Sequence, residues 1–174
     1  ADAAVLEIYQ PLASNPLVRL VSLMDHTPGQ RQWRDLDKWR QFNRDKKWTD
    51  EEFDAMVQQR QQSQARHAET HRRSVVSLAH HYGTVLASHD DTTREHVEEA
   101  VEIGIAISEF PTTLGAAGHA HKRGMKVVMG APNVVRKGSH SGNVSALELA
   151  RHGFLDVLSS DYVPSSLMQA VFHL

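Results

Sequence analysis

At 174 residues the chain is long enough for one domain with a real hydrophobic core. A formal charge of -2 gives no global attraction to nucleic acid or to an anionic membrane. With no cysteine, disulfide frameworks, thiolate metal sites and cysteine nucleophiles are excluded, and His, Asp and Glu remain as the strong metal ligands.

No apolar run reaches the ~18 residues of a membrane span, and the opening Ala1-Asp2-Ala3-Ala4 lacks the basic-then-apolar layout of a signal peptide. The chain reads as soluble and cytoplasmic, with no nucleic-acid or membrane partner. It begins without methionine, so its true N-terminus is expected upstream.

Five short apolar, β-branched runs alternate with amphipathic stretches, the pattern of βα units feeding a parallel sheet. Leu17–Met24 runs into Asp25-His26, and Thr84–Ala87 into Ser88-His89-Asp90-Asp91. Ile105–Ser108 runs into Glu109-Phe110-Pro111, Lys126–Met129 into Gly130-Ala131-Pro132-Asn133, and Val157–Leu158 into Ser159-Ser160-Asp161. Between them, Thr92 to Glu95 reads as a capping box for a helix closed by Gly104, and Ser145 to Glu148 as another closed by Gly153. A third helix spans Leu114 to Arg123, ended by Gly124 and weakened on propensity by Gly115 and Gly118. The first connection, residues 27–82, is different: an excursion from Thr27 to Trp48 is followed by one long helix, or two in tandem, opening at Thr49-Asp50-Glu51-Glu52.

In parallel α/β architectures the loops after the strands share one face, where sites are assembled from several strands. Polar clusters close these apolar runs, and a charged group there needs a metal, a partner or water. His26, His89 and Asp161 offer two imidazoles and a carboxylate from different strands, a donor set for a divalent ion such as Zn, Mn or Fe. Such an ion acidifies water, and Asp161 is placed to take the proton. Taken singly, His26 and His89 read equally well as caps or hydrogen-bonded core histidines.

Two further segments read as anion sites. Arg136-Lys137-Gly138-Ser139-His140-Ser141-Gly142-Asn143 combines glycines, hydroxyls and a basic pair ahead of a helix, which suits phosphate; the plainer reading is a flexible turn. Residues Arg31 to Lys47 hold seven of the nineteen Lys and Arg, and Trp33, Trp39 and Trp48 lie in or beside them. That segment reads as a lid over a polyanionic substrate, or as a helical hairpin with packed aromatics and solvated charges. His67, His71, His80, His81, His119, His121 and His152 read as helix-surface residues.

The stretches Val21 to Gln32, Ala87 to Thr93, Glu109 to Thr113, Met129 to Arg136 with Gly138 to Asn143, and Leu158 to Tyr162 together resemble the alpha-D-ribose 1-methylphosphonate 5-triphosphate diphosphatase family, in order and over nearly the whole chain. The resemblance implies a TIM-like (β/α)8 metal-dependent hydrolase barrel of the amidohydrolase superfamily, acting in carbon-phosphorus lyase phosphonate degradation. It implies release of pyrophosphate from a phosphorylated small-molecule substrate, with His26, His89 and Asp161 as ligands from the fourth, fifth and eighth strands and catalysis by Asp161 and His89. Arg31, Arg136, Lys137, Ser139, His140, Ser141 and Asn143 are the substrate-binding candidates. Lys137 departs from the family pattern, which has a second glycine after the arginine.

Members of that family are much longer, with a small β-domain and the first three barrel strands upstream. A barrel takes about 250 residues, so residues 1–174 are expected to be a single incomplete barrel domain, about strands four to eight, with little or no activity alone. An open sheet of this kind has two edges, which makes a homo-oligomer an expectation. Competing readings are an amidohydrolase acting on a C–N bond and an inactive phosphate-binding fragment.

Overall fold

A computed structural model describes residues 4–139 and 142–174 as an α/β fold in two compact units, the first reaching to Val85 and the second running from Leu86 to Leu174. A strand overlaps each of the five apolar runs: β1 (Leu20–Leu23), β2 (Val85–His89), β3 (Ile107–Glu109), β4 (Lys126–Gly130) and β5 (Val157–Ser159). His89, Glu109 and Ser159 are therefore the last residues of strands and not the first of loops. Among the described residues, no helix is long and apolar enough to cross a membrane.

The first unit contains α1 (Val5–Tyr9), β1, α2 (Leu36–Phe42) and α3 (Asp50–Tyr82). The stretch 50–82 is one helix of 33 residues, without Pro or Gly to interrupt it. Its capping box closes in both directions: Thr49 Oγ1 accepts from the Glu52 N–H at 3.2 Å, and the Glu52 carboxylate accepts from the Thr49 N–H at 2.8 Å. Gly83, at φ +68°, supplies the left-handed residue that ends it. The excursion folds on the first turns of α3, where Trp33, Trp39, Phe53 and Val57 make a buried cluster flanked by Leu36, Trp48 and Met56. Trp39 and Trp48 stack with centroids 5.7 Å apart.

In the second unit β2, β3, β4 and β5 lie side by side in that order, every pair parallel. The connections carry α4 (Arg94–Glu102), α5 (Leu114–Lys122), and then α6 (Ala131–Val135) with α7 (Ala146–Arg151); α8 (Ser166–Val171) follows β5. Leu86, Val97, Val127, Val134 and Leu149 are at most 2% exposed and form the core. The cap of α4 is Thr93, not Thr92: Thr93 Oγ1 accepts the His96 N–H, while Thr92 Oγ1 donates to the Asp90 carbonyl and accepts from Thr112. Gly118 costs α5 propensity but has a packing reason, because a Cβ there would stand 2.9 Å from the Phe154 ring.

Candidate active site

The polar residues of the second unit gather at the C-terminal ends of its strands, and register explains the main pair. His89 and Glu109 are direct partners across β2 and β3, and His89 Nδ1 lies 2.7 Å from Glu109 Oε2. An ionised carboxylate only accepts, so Nδ1 carries the hydrogen, and in the neutral ring the lone pair is then on Nε2. Nε2 faces Asp90 Oδ2 at 3.6 Å. His89 is 5% exposed and Asp90 2%, and the Phe110 ring meets the imidazole edge-on at 5.4 Å.

A lone pair and a carboxylate oxygen facing each other away from water form an arrangement that a cation relieves. Their separation lies within the span of two ligands each about 2 Å from one ion. Nitrogen and oxygen donors without sulfur match a borderline divalent ion, so the residues present fit a metal. Beneath them, Asp91 is wholly buried and accepts from the hydroxyls of Ser88 and, at 3.2 Å, Ser108. That carboxylate ties β2 to β3 under the His89–Glu109 pair.

Asp161 is exposed and sits two residues beyond β5, its N–H donating to Ser159 Oγ at 3.1 Å. Its carboxylate lies over the backbone of Gly130, the last residue of β4: a Cβ on Gly130 would be 2.8 Å from Asp161 Oδ2. Only glycine leaves that cradle open. In the strand order, β3 and β4 lie between the strand of His89 and that of Asp161.

The loop of residues 136–143 follows α6, with Asn133 Oδ1 accepting the Ala146 N–H at 2.8 Å and so fastening the start of α7. Arg136 donates to the Tyr162 hydroxyl at 2.8 Å, which points its guanidinium toward the chain just after Asp161. Lys137 adopts a left-handed backbone at φ +60°. Ser139 and Asn143 lie in this loop, whereas His140 and Ser141 lie outside the described residues.

In the first unit His26 is exposed and follows β1 within a polar turn. Asp25 Oδ1 accepts from the Thr27 N–H at 3.1 Å and from its hydroxyl at 2.6 Å. From α3, Gln64 donates to Asp25 Oδ2 and Gln61 to the Pro28 carbonyl, each at 3.1 Å. Burial raises the Asp25 pKa, but hydrogen bonds from Thr27, Gln30 and Gln64 outweigh it and hold the carboxyl below its ordinary value. The polar middle of α3 thus anchors the turn that presents His26. Arg31 begins the next turn in a left-handed conformation, φ +48°.

Glu109 and Asp90 acquire roles that sequence reading noted only as strand-end polarity. The signal for Glu109 was its place at the end of the next apolar run after His89; a single sequence leaves the pairing register open.

Over 171 residues, 96% of its length, the chain is 48% identical to the alpha-D-ribose 1-methylphosphonate 5-triphosphate diphosphatase of Escherichia coli (strain K12), and the match takes in 44% of that protein. The chain thus spans less than half the length of this curated relative. No family model matches the chain, and no solved structure does.

Proposed function

We propose that the chain contributes to a metal-dependent hydrolase of the amidohydrolase type, built as part of a TIM-like barrel, that cleaves the triphosphate of a ribosyl phosphonate and releases pyrophosphate. The observation that carries this reading is the constellation of buried His89 and Asp90 with half-buried Glu109, in a chain 48% identical to a diphosphatase named for that substrate. His26, His89 and Asp161 are the proposed ligands, and the geometry adds Asp90. A divalent ion, Zn with Mn or Fe as alternatives, supplies Lewis acidity toward phosphoryl oxygens and acidifies water at neutral pH.

The chain's own residues supply the rest. Glu109 keeps the Nδ1 proton on His89 and so fixes the ring with Nε2 as donor, the part a carboxylate plays behind a ligating histidine. Asp161, held over Gly130, receives on Oδ2 the proton of the attacking water. Arg31, Arg136, Lys137, Ser139, His140, Ser141 and Asn143 bind the phosphates, with Arg136 steadied by Tyr162. Pyrophosphate leaves with the electron pair of the broken P–O bond, and the ribosyl phosphonate keeps a single 5-phosphate.

Two measurements test this: divalent-metal binding by calorimetry, and pyrophosphate release from the ribosyl triphosphate in the presence of that metal. His89→Ala should lower metal affinity by at least about tenfold and remove the pyrophosphate release it supports. Equal affinity and equal release in wild type and variant would sink the reading.

A further inference from the structure

The excursion between β1 and α3 carries a feature that its aromatic packing leaves unused. A cleft of about 380 Å³ opens beside α2, lined among others by Asp37, Arg40, Asn43, Arg44, Lys47 and Trp48. We propose that this cleft binds the phosphate chain of an oligophosphate, with Arg44 and Lys47 as the anion-binding charges and Trp48 as a rigid wall. The choice of an oligophosphate rests on the function proposed above; the site itself does not.

The three cations of the lining are not equivalent. Arg40 is committed: it pairs with Asp50 at 2.5 Å, donates to the Trp48 carbonyl at 3.4 Å, and lies over the Phe53 ring at 4.9 Å. Its work is to hold the wall. The side chains of Arg44 and Lys47 have no hydrogen bond or ion pair among the described residues, and both are exposed. Arg44 opens the 3₁₀ turn Arg44–Lys46, and Lys47, left-handed at φ +52°, caps it. Both line the same cleft, so the turn brings two positive charges to one place.

The other charges of the turn lie elsewhere: Asp45 and Lys46 pair with each other at 3.5 Å, and neither lines the cleft. With Arg40 balanced by Asp50, Arg44 and Lys47 stand against Asp37 alone. Two adjacent cations repel unless an anion lies between them. A chain of phosphates supplies several oxygens in a row, for an Arg fork at one point and a Lys ammonium at the next. The volume suits a ligand of that size.

All three tryptophans of the chain, Trp33, Trp39 and Trp48, belong to this one cluster, so intrinsic fluorescence reports directly on it. The chain is titrated with tripolyphosphate at constant ionic strength, in EDTA so that no metal contributes. A saturable emission change is expected, with Kd raised about tenfold or more in the Arg44→Gln/Lys47→Gln double variant. Lys46→Gln should leave Kd within about twofold, as befits an exposed pair. His89→Ala should not alter it in EDTA, so unchanged metal affinity and hydrolysis in that variant would count against the metal-site reading and leave this one standing. No saturable change, an unaltered Kd in the double variant, or equal weakening by Lys46→Gln would each overturn the proposal.

Discussion

Glu109→Gln isolates the contribution of the carboxylate behind His89. The replacement keeps the shape of the side chain and removes its charge. In the wild type the Nδ1···Oε2 contact is 2.7 Å, and the side chains of His89 and Glu109 are only 7% and 18% exposed, so solvent screens the pair little. A hydrogen bond to a charged group contributes about 1.5–3 kcal/mol net, against about 0.5–1.5 kcal/mol for a neutral one. The difference, about 1–1.5 kcal/mol, is the expected contribution of the Glu109 charge to His89 as a ligand, and it corresponds to roughly tenfold in divalent-metal affinity. Calorimetric titration with Zn or Mn reads that number. Glu109→Ala should go further and let the ring populate both tautomers, visible in the imidazole ¹⁵N shifts. Wild-type affinity in Glu109→Gln, together with an unchanged tautomer in Glu109→Ala, would refute the assignment of Glu109 as the residue that orients His89.

Gly130→Ala should push the Asp161 carboxylate off the end of β4, because the new Cβ would stand 2.8 Å from Oδ2; the measured signs are a loss of any pyrophosphate release and a stability cost of about 1–3 kcal/mol. Asp91→Ala strands the fully buried Ser108 hydroxyl and leaves that of Ser88 only a long contact, 3.4 Å, to the Ile107 carbonyl. At about 1–3 kcal/mol for each unsatisfied group, a lowered urea midpoint worth about 3 kcal/mol is expected, and a change below about 1 kcal/mol would contradict it. Asp156 accepts the Val127 N–H and the Lys126 ammonium, both at 2.9 Å. Burial raises its pKa, but these contacts and the nearby His121 outweigh it, so the folded value lies below the ordinary one. Its contribution is therefore present above about pH 4 and is lost as pH falls through the lowered folded pKa. Wild type should exceed Asp156→Asn by about 1 kcal/mol at neutral pH, with the gap closing in acid denaturation curves below that point; a gap independent of pH would contradict it.

The apolar runs were legible as strands because each is bounded by glycine, proline or a polar cluster. Their ends were not, because polarity at His89 and Glu109 mimics a loop while the backbone ladder continues through them: the Asp90 N–H still bonds the Glu109 carbonyl at 3.0 Å. Local capping chemistry was readable at Thr49, where the motif acts within its own helix. It slipped by one residue at Thr92, whose hydroxyl is held by Thr112 and the Asp90 carbonyl. Gly118 looked like a weakness in α5 because the reason for it, the Phe154 ring, lies on a later segment. His89 could be chosen from its place in the chain, but its partnership with Glu109 depends on register, which no single-sequence pattern encodes.

Strained backbone is concentrated at these same strand ends. In an extended strand neighbouring side chains point to opposite faces, so His89 and Asp90 should diverge, and Glu109 and Phe110 likewise. Yet Asp90 Oδ2 lies 3.6 Å from His89 Nε2, and both Glu109 and Phe110 touch the same imidazole. The alternation is broken by left-handed residues directly after the strands, Asp90 at φ +56° and Phe110 at φ +54°. For an aspartate this conformation is mildly unfavourable; for a phenylalanine it is a real cost, on the order of 1–3 kcal/mol. It persists because the N–H of each bonds the neighbouring strand's carbonyl, Asp90 to Glu109 at 3.0 Å and Phe110 to Val128 at 2.9 Å. Asp161, at φ +49°, is held differently, its N–H bonding the side-chain hydroxyl of Ser159 two residues back. A packed core gains nothing from turning a charged side chain back onto a buried imidazole. A site that must present several donors from one strand end does, and it is there that the chain departs from regular strand geometry.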